Sequence, residues 1–121
     1  MDLDLNQQLA TAVSHHQAGH LDEAAEIYRV LLDVQPNHPD ALHLLGLIEN
    51  CRGHAAEAAR LIEQAIVLRP QLANFQLSLA DALHAQCQYA AAEQACRAAI
   101  HLEQNNPEAH NHLGVMLIAQ N

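Results

Sequence analysis

Lysine and tryptophan are absent from this chain, and the aromatic residues are only Tyr28, Phe75 and Tyr89. Valine and isoleucine are also few. Strands draw on β-branched and aromatic residues, so this scarcity argues against sheets. Alanine and leucine fill the apolar half of the composition instead, which suits closely packed helices. The missing lysine removes a phosphate-loop lysine and a Schiff base from consideration. Besides the two tyrosines, the only hydroxyl side chains are Thr11, Ser14 and Ser78, and none lies in a strand–turn–helix elbow. His15 follows Ser14, but adjacent helical residues point about 100° apart and form no local dyad. No catalytic residue and no cofactor are therefore expected.

Charge and hydropathy exclude further classes. Five arginines stand against fourteen acidic residues, for a net charge of −9. Such a surface repels phosphate backbones and anionic membranes, so neither nucleic acid nor a membrane is an expected partner. No apolar run reaches spanning length and no basic–apolar–small leader is visible; a cytoplasmic setting is expected. The three cysteines, Cys51, Cys87 and Cys96, are odd in number and without framework spacing, which fits a reducing compartment.

What is present in unusual amount is histidine. Protonating all ten would carry the net charge from −9 to +1, so the surface should respond to pH near 6. The plainer reading is compositional, with His standing at solvated positions where Lys or Arg is common. No metal site is expected. His110 and His112 are two apart and diverge on a helix, Gly19 interrupts the helix between His16 and His20, and Cys51 with His54 is half of a zinc pair without a second half.

The chain repeats itself. GHLDEAAEIYRVLLDVQPNHPDA begins at Gly19, GHAAEAARLIEQAIVLRPQLANF at Gly53 and CQYAAAEQACRAAIHLEQNNPEA at Cys87, each 34 residues after the last. Ala24, Ala58 and Ala92 share a column, as do Leu45, Leu79 and Leu113, each followed by a small residue: Gly46, Ala80, Gly114. Small residues on facing helices let two backbones approach in an antiparallel hairpin. Glycines at the turns and prolines at the joins punctuate the units. Helices are predicted at about 4–17, 21–34, 39–51, 55–68, 73–85, 89–102 and 107–119.

This 34-residue period of paired amphipathic helices resembles the tetratricopeptide repeat (TPR) family. The resemblance covers nearly the whole chain. It implies an all-α, right-handed superhelix of seven helices in one domain over 1–121, with repeats at about 5–38, 39–72 and 73–106 and a partial unit at 107–121. Three departures carry expectations. Cys87 replaces a turn glycine and Gln104 a closing proline, which predicts a looser third turn. Glu49 stands in a column where the family prefers an apolar residue; it is expected as a partly exposed carboxylate, with Arg52 three residues on as a possible partner.

The two ends differ. Gln8, Thr11 and His15 occupy columns that hold Leu42, Leu45 and Glu49 in the next unit, as in a terminal repeat with nothing stacked outside it. With Met1 and the acidic lead MDLDL, a true N-terminus is expected. The last helix keeps Leu113, Gly114 and Leu117 and adds Val115, Met116 and Ile118. It reads as cut inside a fourth repeat. Alternatively, Val115, Leu117 and Ile118 form a self-association surface, or the half repeat is itself a sufficient cap.

In the family, the first helix of each unit lines a concave groove that binds peptides or partner helices. By column, the resemblance assigns Val13, His16 and Gln17, then Asp40, His43, Leu47 and Asn50, then Asn74, Leu77, Asp81 and His84, and finally Asn111 and His112 to that groove. None is Lys or Arg, so the cations with which some TPR co-chaperones hold a C-terminal carboxylate are missing. The asparagine ladder of O-linked N-acetylglucosamine transferases is missing as well, because its column reads Ala10, Leu44, Ser78, His112. The implied function is a non-catalytic protein–protein interaction module for a neutral or basic peptide with aliphatic anchors, within a larger bacterial cytosolic protein. The alternatives are a substrate-recruiting arm of a glycosyltransferase or sulfotransferase, and a self-associating scaffold.

Overall fold

The computed structural model describes residues 4–121; Met1, Asp2 and Leu3, the start of the acidic lead, lie outside the described residues. Seven helices follow in order: α1 (Leu5–Gln17), α2 (Leu21–Val34), α3 (Pro39–Cys51), α4 (Ala55–Leu68), α5 (Ala73–Ala85), α6 (Tyr89–Leu102) and α7 (Pro107–Ala119). No strand occurs among the described residues. The bounds match those predicted, except that Asp4 is not in α1 but caps it, accepting from the Asn6 and Gln7 amides.

Two kinds of helix alternate, and their starts show why. Side-chain caps open three of the odd-numbered helices: Asp4 on α1, His38 Nδ1 accepting from the Ala41 amide at 3.1 Å, and Asn106 Oδ1 accepting from the Ala109 amide at 3.2 Å. Pro39 and Pro107 sit in the first turn, where no amide hydrogen is needed. The even-numbered helices have no side-chain cap. They start directly after a tight turn whose geometry sets their direction.

That turn repeats three times. Gly19 and Gly53 take φ of 84° and 85°, the left-handed region that favours glycine. The amide that follows each closes onto a carbonyl five residues back: His20 to His15 at 2.8 Å, and His54 to Glu49 at 2.8 Å. The third turn is not looser, contrary to expectation. Gln88 donates to Leu83 at 2.9 Å in the same way, and Cys87 adopts φ of 61° to permit it. The closing hydrogen bonds hold the geometry, and the cysteine bears the conformational strain. The joins between units are equally regular. Gln35 donates to Leu31, Arg69 to Ala65 and Glu103 to Ala99, at 2.7, 2.9 and 2.9 Å, whether Pro36, Pro70 or Gln104 follows.

Packing follows the small-residue columns. A Cβ on Gly46 would lie 2.7 Å from Ile62 Cγ1 and 3.3 Å from the Ala58 carbonyl oxygen, so α3 and α4 touch backbone to side chain there. Tyr28, Leu31, Leu42, Leu45, Ile48 and Phe75 fill the main cluster, and Met116 and Cys96 close the last one. Burial pushes the Tyr28 phenol up to about 12 and the Cys96 thiol up to about 11, so both stay neutral.

Glu49 corrects the expectation of a solvated carboxylate. It is 4% exposed. Arg29 Nη2 and Arg52 Nη1 each donate to its Oε1 at 3.1 Å, and His54 Nδ1 lies 2.8 Å from its Oε2. Arg52 also pairs with Asp22. Burial alone would raise this carboxyl, but the His54 and Arg52 hydrogen bonds with the Arg29 and Arg52 charges hold it below its ordinary value. The cluster ties α2 to the end of α3 and the following turn. Burial without partners would have been costly, so this acid in an apolar column is matched by two arginines and a histidine hydrogen bond.

Candidate functional site

Consecutive odd-numbered helices lie side by side, α3 against α5 and α5 against α7. The residues expected in a groove lie on α1, α3, α5 and α7. Gln17, Asn74, Asp81 and Asn111 are exposed; Val13, His16, Asp40, Leu47, Asn50, His84 and His112 are half-buried. Two lie deeper. His43 and Leu77 are 7% and 4% exposed, so they build the floor rather than line it.

The His43 environment explains its burial. Its ring stands 4.4 Å from that of Phe75, and its Nε2 lies 2.7 Å from Ser78 Oγ on α5. Burial drops the imidazole from 6.5 to about 4, against a smaller upward pull from Asp40, so it is neutral at pH 7. It acts as a polar pin between α3 and α5. Asn50 is also constrained, with its side-chain oxygen enclosed and accepting no hydrogen bond.

Between α5 and α7 the face deepens into a cavity of about 370 Å³ lined by Asp81, His84, Asn111, His112, Val115 and Met116. Here four expected residues meet. His112 Nε2 lies 3.1 Å from Asp81 Oδ1, and its Nδ1 lies 2.8 Å from the Glu108 carbonyl oxygen one turn back. His84 lines the same cavity, with its ring 5.3 Å from that of Tyr89 at the start of α6. No arginine sits on this face. Arg29, Arg60 and Arg97 belong to even-numbered helices, Arg52 and Arg69 to the connections, and all but Arg69 have acidic partners.

A larger hollow of about 650 Å³ lies elsewhere, between α1 and α2. Asp4, Gln8, Thr11, His15, Glu23 and Ile27 are among the residues lining it. Gln8, Thr11 and His15 are the polar residues at columns that are apolar or paired in the next unit. The hollow is the open flank of the first hairpin, and it is apart from the face of the odd-numbered helices. Beside it, His15 and His20 bring their Nδ1 atoms to 3.4 Å, a meeting across the turn that sequence spacing along one helix does not reveal. At the other end, Val115, Leu117 and Ile118 are 50%, 41% and 74% exposed. Among the described residues no three His, Cys, Asp or Glu side chains cluster as metal ligands would, and no helix is long and apolar enough to cross a membrane.

Known proteins share this architecture. The family profile described as tetratricopeptide repeat matches residues 52–120. Human tetratricopeptide repeat protein 7A is 30% identical over 89 residues, which is 74% of this chain and 10% of that protein. Among solved structures, an O-GlcNAc transferase mutant of Thermobaculum terrenum superposes with a TM-score of 0.90 at 26% identity, over 97% of this chain and 23% of that one. The first TPR of Spaghetti (RPAP3), bound to the HSP90 peptide SRMEEVD, gives 0.91 at 21% identity, over 96% of this chain and 92% of that one. The Yersinia enterocolitica secretion chaperone SycD, in complex with a peptide of the translocator YopD, gives 0.86 at 19%, over 97% and 95%. This chain thus spans about a tenth of the human relative and under a quarter of the transferase. The seven helices of the described residues form the all-α solenoid that the resemblance implied, and the chain belongs to the tetratricopeptide repeat family.

Proposed function

We propose that this chain is a non-catalytic interaction module that holds an extended peptide or partner helix along the face of α1, α3, α5 and α7. The observation that carries the reading is the charge of that face. It contains Asp40 and Asp81 and no Arg or Lys, with aliphatic spots at Leu47 and Val115. The repeat domain of Spaghetti binds the acidic peptide SRMEEVD. The face described here has the opposite complement and favours a neutral or basic segment with a few aliphatic anchors. The wider setting we assign is a bacterial, cytoplasmic protein.

The experiment is a random capped-peptide display selection, followed by amide-shift mapping of the enriched peptides. Shifts concentrated at Asp40, Asn74, Asp81 and Asn111 are expected. Shifts concentrated on α2, α4 or α6 overturn the reading.

One observation favours a second reading. The likeness to the transferase extends over 97% of this chain. In that reading the chain is a recruiting arm, and the chemistry belongs to another part of the protein. The coding sequence after Asn121 tests this: a transferase domain there establishes the arm, and its absence removes the reading.

A further inference from the structure

We propose that Asp81 anchors a cationic subsite, taking the guanidinium or ammonium group of an Arg or Lys side chain in the bound segment, and that His112 is its built-in competitor. The inference rests on the groove reading above and adds a specific contact and its control.

The argument is one of donors and acceptors. His112 Nδ1 faces the Glu108 carbonyl oxygen at 2.8 Å. A carbonyl only accepts, so this nitrogen must carry the hydrogen. His112 Nε2 faces Asp81 Oδ1 at 3.1 Å. This is an ion-pair separation and not an aligned hydrogen bond, so it attracts only when this nitrogen carries a hydrogen too. Both contacts are made together only by the doubly protonated, cationic ring. A neutral ring keeps one of them at most. If it keeps the bond to Glu108, its Nε2 lone pair points at the Asp81 oxygen and the contact becomes repulsive. With Nδ1–H held on the Glu108 carbonyl, the pair attracts when His112 is charged and repels when it is neutral.

A neutral His112 leaves an acceptor in a suitable place. The Asp81 side chain is 50% exposed, and it borders the cavity with Val115. A long basic side chain can rest its methylenes on Val115 and bring its charge to Asp81. Besides His112, the titratable group lining the cavity with Asp81 is His84. From α5, Asp81 and His84 face this region, and the His84 ring lies 5.3 Å from that of Tyr89, tilted by 57°. From α6, the charged groups are Glu93 and Arg97, which pair with each other, and Glu93 also accepts from Gln120; the Cys96 thiol is neutral. On α7 itself, Glu108 lies in the first turn and His110 is turned to the Gln104 carbonyl at 2.8 Å. Ligand cation and His112 proton then compete for one carboxylate, so binding the first expels the second.

The test uses isotope-labelled protein and two capped tripeptides that differ only in charge, acetyl-Leu-Arg-Leu-amide and acetyl-Leu-Gln-Leu-amide. Titrations are run at about pH 8 and about pH 5.5, either side of the range in which free imidazole titrates. At the higher pH, the Arg peptide is expected to bind at least about fivefold more tightly than the Gln peptide, a typical worth for one charged contact. The shifts should centre on Asp81, Asn111 and Val115. At the lower pH the preference should shrink. Asp81→Asn should abolish the preference at both values, and His112→Gln should keep it at both. Equal binding of the two peptides, no binding of the Arg peptide, or a pH dependence that survives His112→Gln each overturns the subsite. Equal binding with shifts on the odd-numbered helices leaves the groove reading standing; shifts confined to even-numbered helices sink both.

Discussion

The contact of α3 with α5 and that of α5 with α7 are the same contact one repeat apart, yet they are closed by different chemistry. A 34-residue step carries His43 to Leu77 and Ser78 to His112. In the first contact the histidine is buried, neutral and hydrogen-bonded to a hydroxyl. In the second it is on the other helix, half-exposed, and faces a carboxylate. The turns divide similarly. The second unit ends on the Glu49 ion cluster and Gly53, whereas the third has Leu83 in the Glu49 column and Cys87 in the Gly53 column. The repeat fixes the spacing of backbones but leaves each joint free to be closed by a buried hydrogen bond or by an ion-pair contact at the surface. In this molecule the first lies in the middle and the second toward the C-terminal end.

Removing the cations of the Glu49 cluster should break this difference most severely. Arg29→Ala combined with Arg52→Ala leaves a 4%-exposed carboxylate with His54 alone. A loss of about 3 kcal/mol is expected, read from the urea midpoint. Glu49→Leu installs the residue found at Leu83 in the next unit. It should cost less than about 1 kcal/mol, because Arg29 and His54 are 55% and 61% exposed and return to water. Equal losses in the two variants would show that the cluster is not a buried-charge problem.

Acid should separate the two contacts next. The folded-state value of His43 lies at about 4, below its ordinary 6.5. The unfolded chain therefore takes up the proton before the folded one does. Stability owed to this group is fully present above pH 6.5 and falls as the pH drops from 6.5 toward 4, with a slope of up to about 1.4 kcal/mol per unit. Across that window the loss approaches about 2–3 kcal/mol. His43→Leu, which copies Leu77, should remove this part of the slope in a series of urea melts. An unchanged difference between pH 7 and pH 4.5 would place the acid sensitivity elsewhere.

The glycine column gives the same comparison in opposite signs. Gly46→Ala drives a methyl against Ile62 and the Ala58 carbonyl and should cost about 2 kcal/mol. Gly114 has nothing within 4 Å of an added Cβ. Gly114→Ala should stabilise α7 by about 0.5–1 kcal/mol through helix propensity. A common sign for both would mean that the small column serves something other than close packing of α3 on α4.

The period and its columns made the helices legible, because spacing along the chain is what sets a solenoid's backbone. The bounds of the helices were readable from turn glycines, join prolines and apolar spacing, apart from Asp4, which caps α1; the grouping of Asp81, His84, Asn111 and His112 came from the resemblance to the family. What could not be read depends on distances between residues far apart in sequence. Glu49 looked solvated because Arg29 is twenty residues away and comes close only when α2 packs beside α3. His43 looked like a groove residue because its column gives its direction but not the Phe75 ring that covers it. The Asp81–His112 pair needs both the helix contact and two side-chain rotamers. A signal for the first of these was available: an acid in an otherwise apolar column, with Arg52 and His54 close behind, calls for a further partner.

The smallest effect isolates a single backbone torsion. A non-glycine residue in the left-handed region costs about 1 kcal/mol, and Cys87 stands there at φ of 61°. Glycine would remove the strain but loosen the unfolded chain, so Cys87→Gly should gain only about 0.5 kcal/mol. Cys87→Asn, which tolerates the left-handed region without freeing the unfolded chain as glycine does, should gain about as much. The mirror variant is cleaner still. Gly53 has open space around an added Cβ, so the whole cost of Gly53→Ala, about 1 kcal/mol, is torsional. If Gly53→Ala destabilises while Cys87→Gly and Cys87→Asn both leave the urea midpoint unchanged, the third turn has relaxed around its cysteine. The two turns would then differ in backbone as well as in side chain.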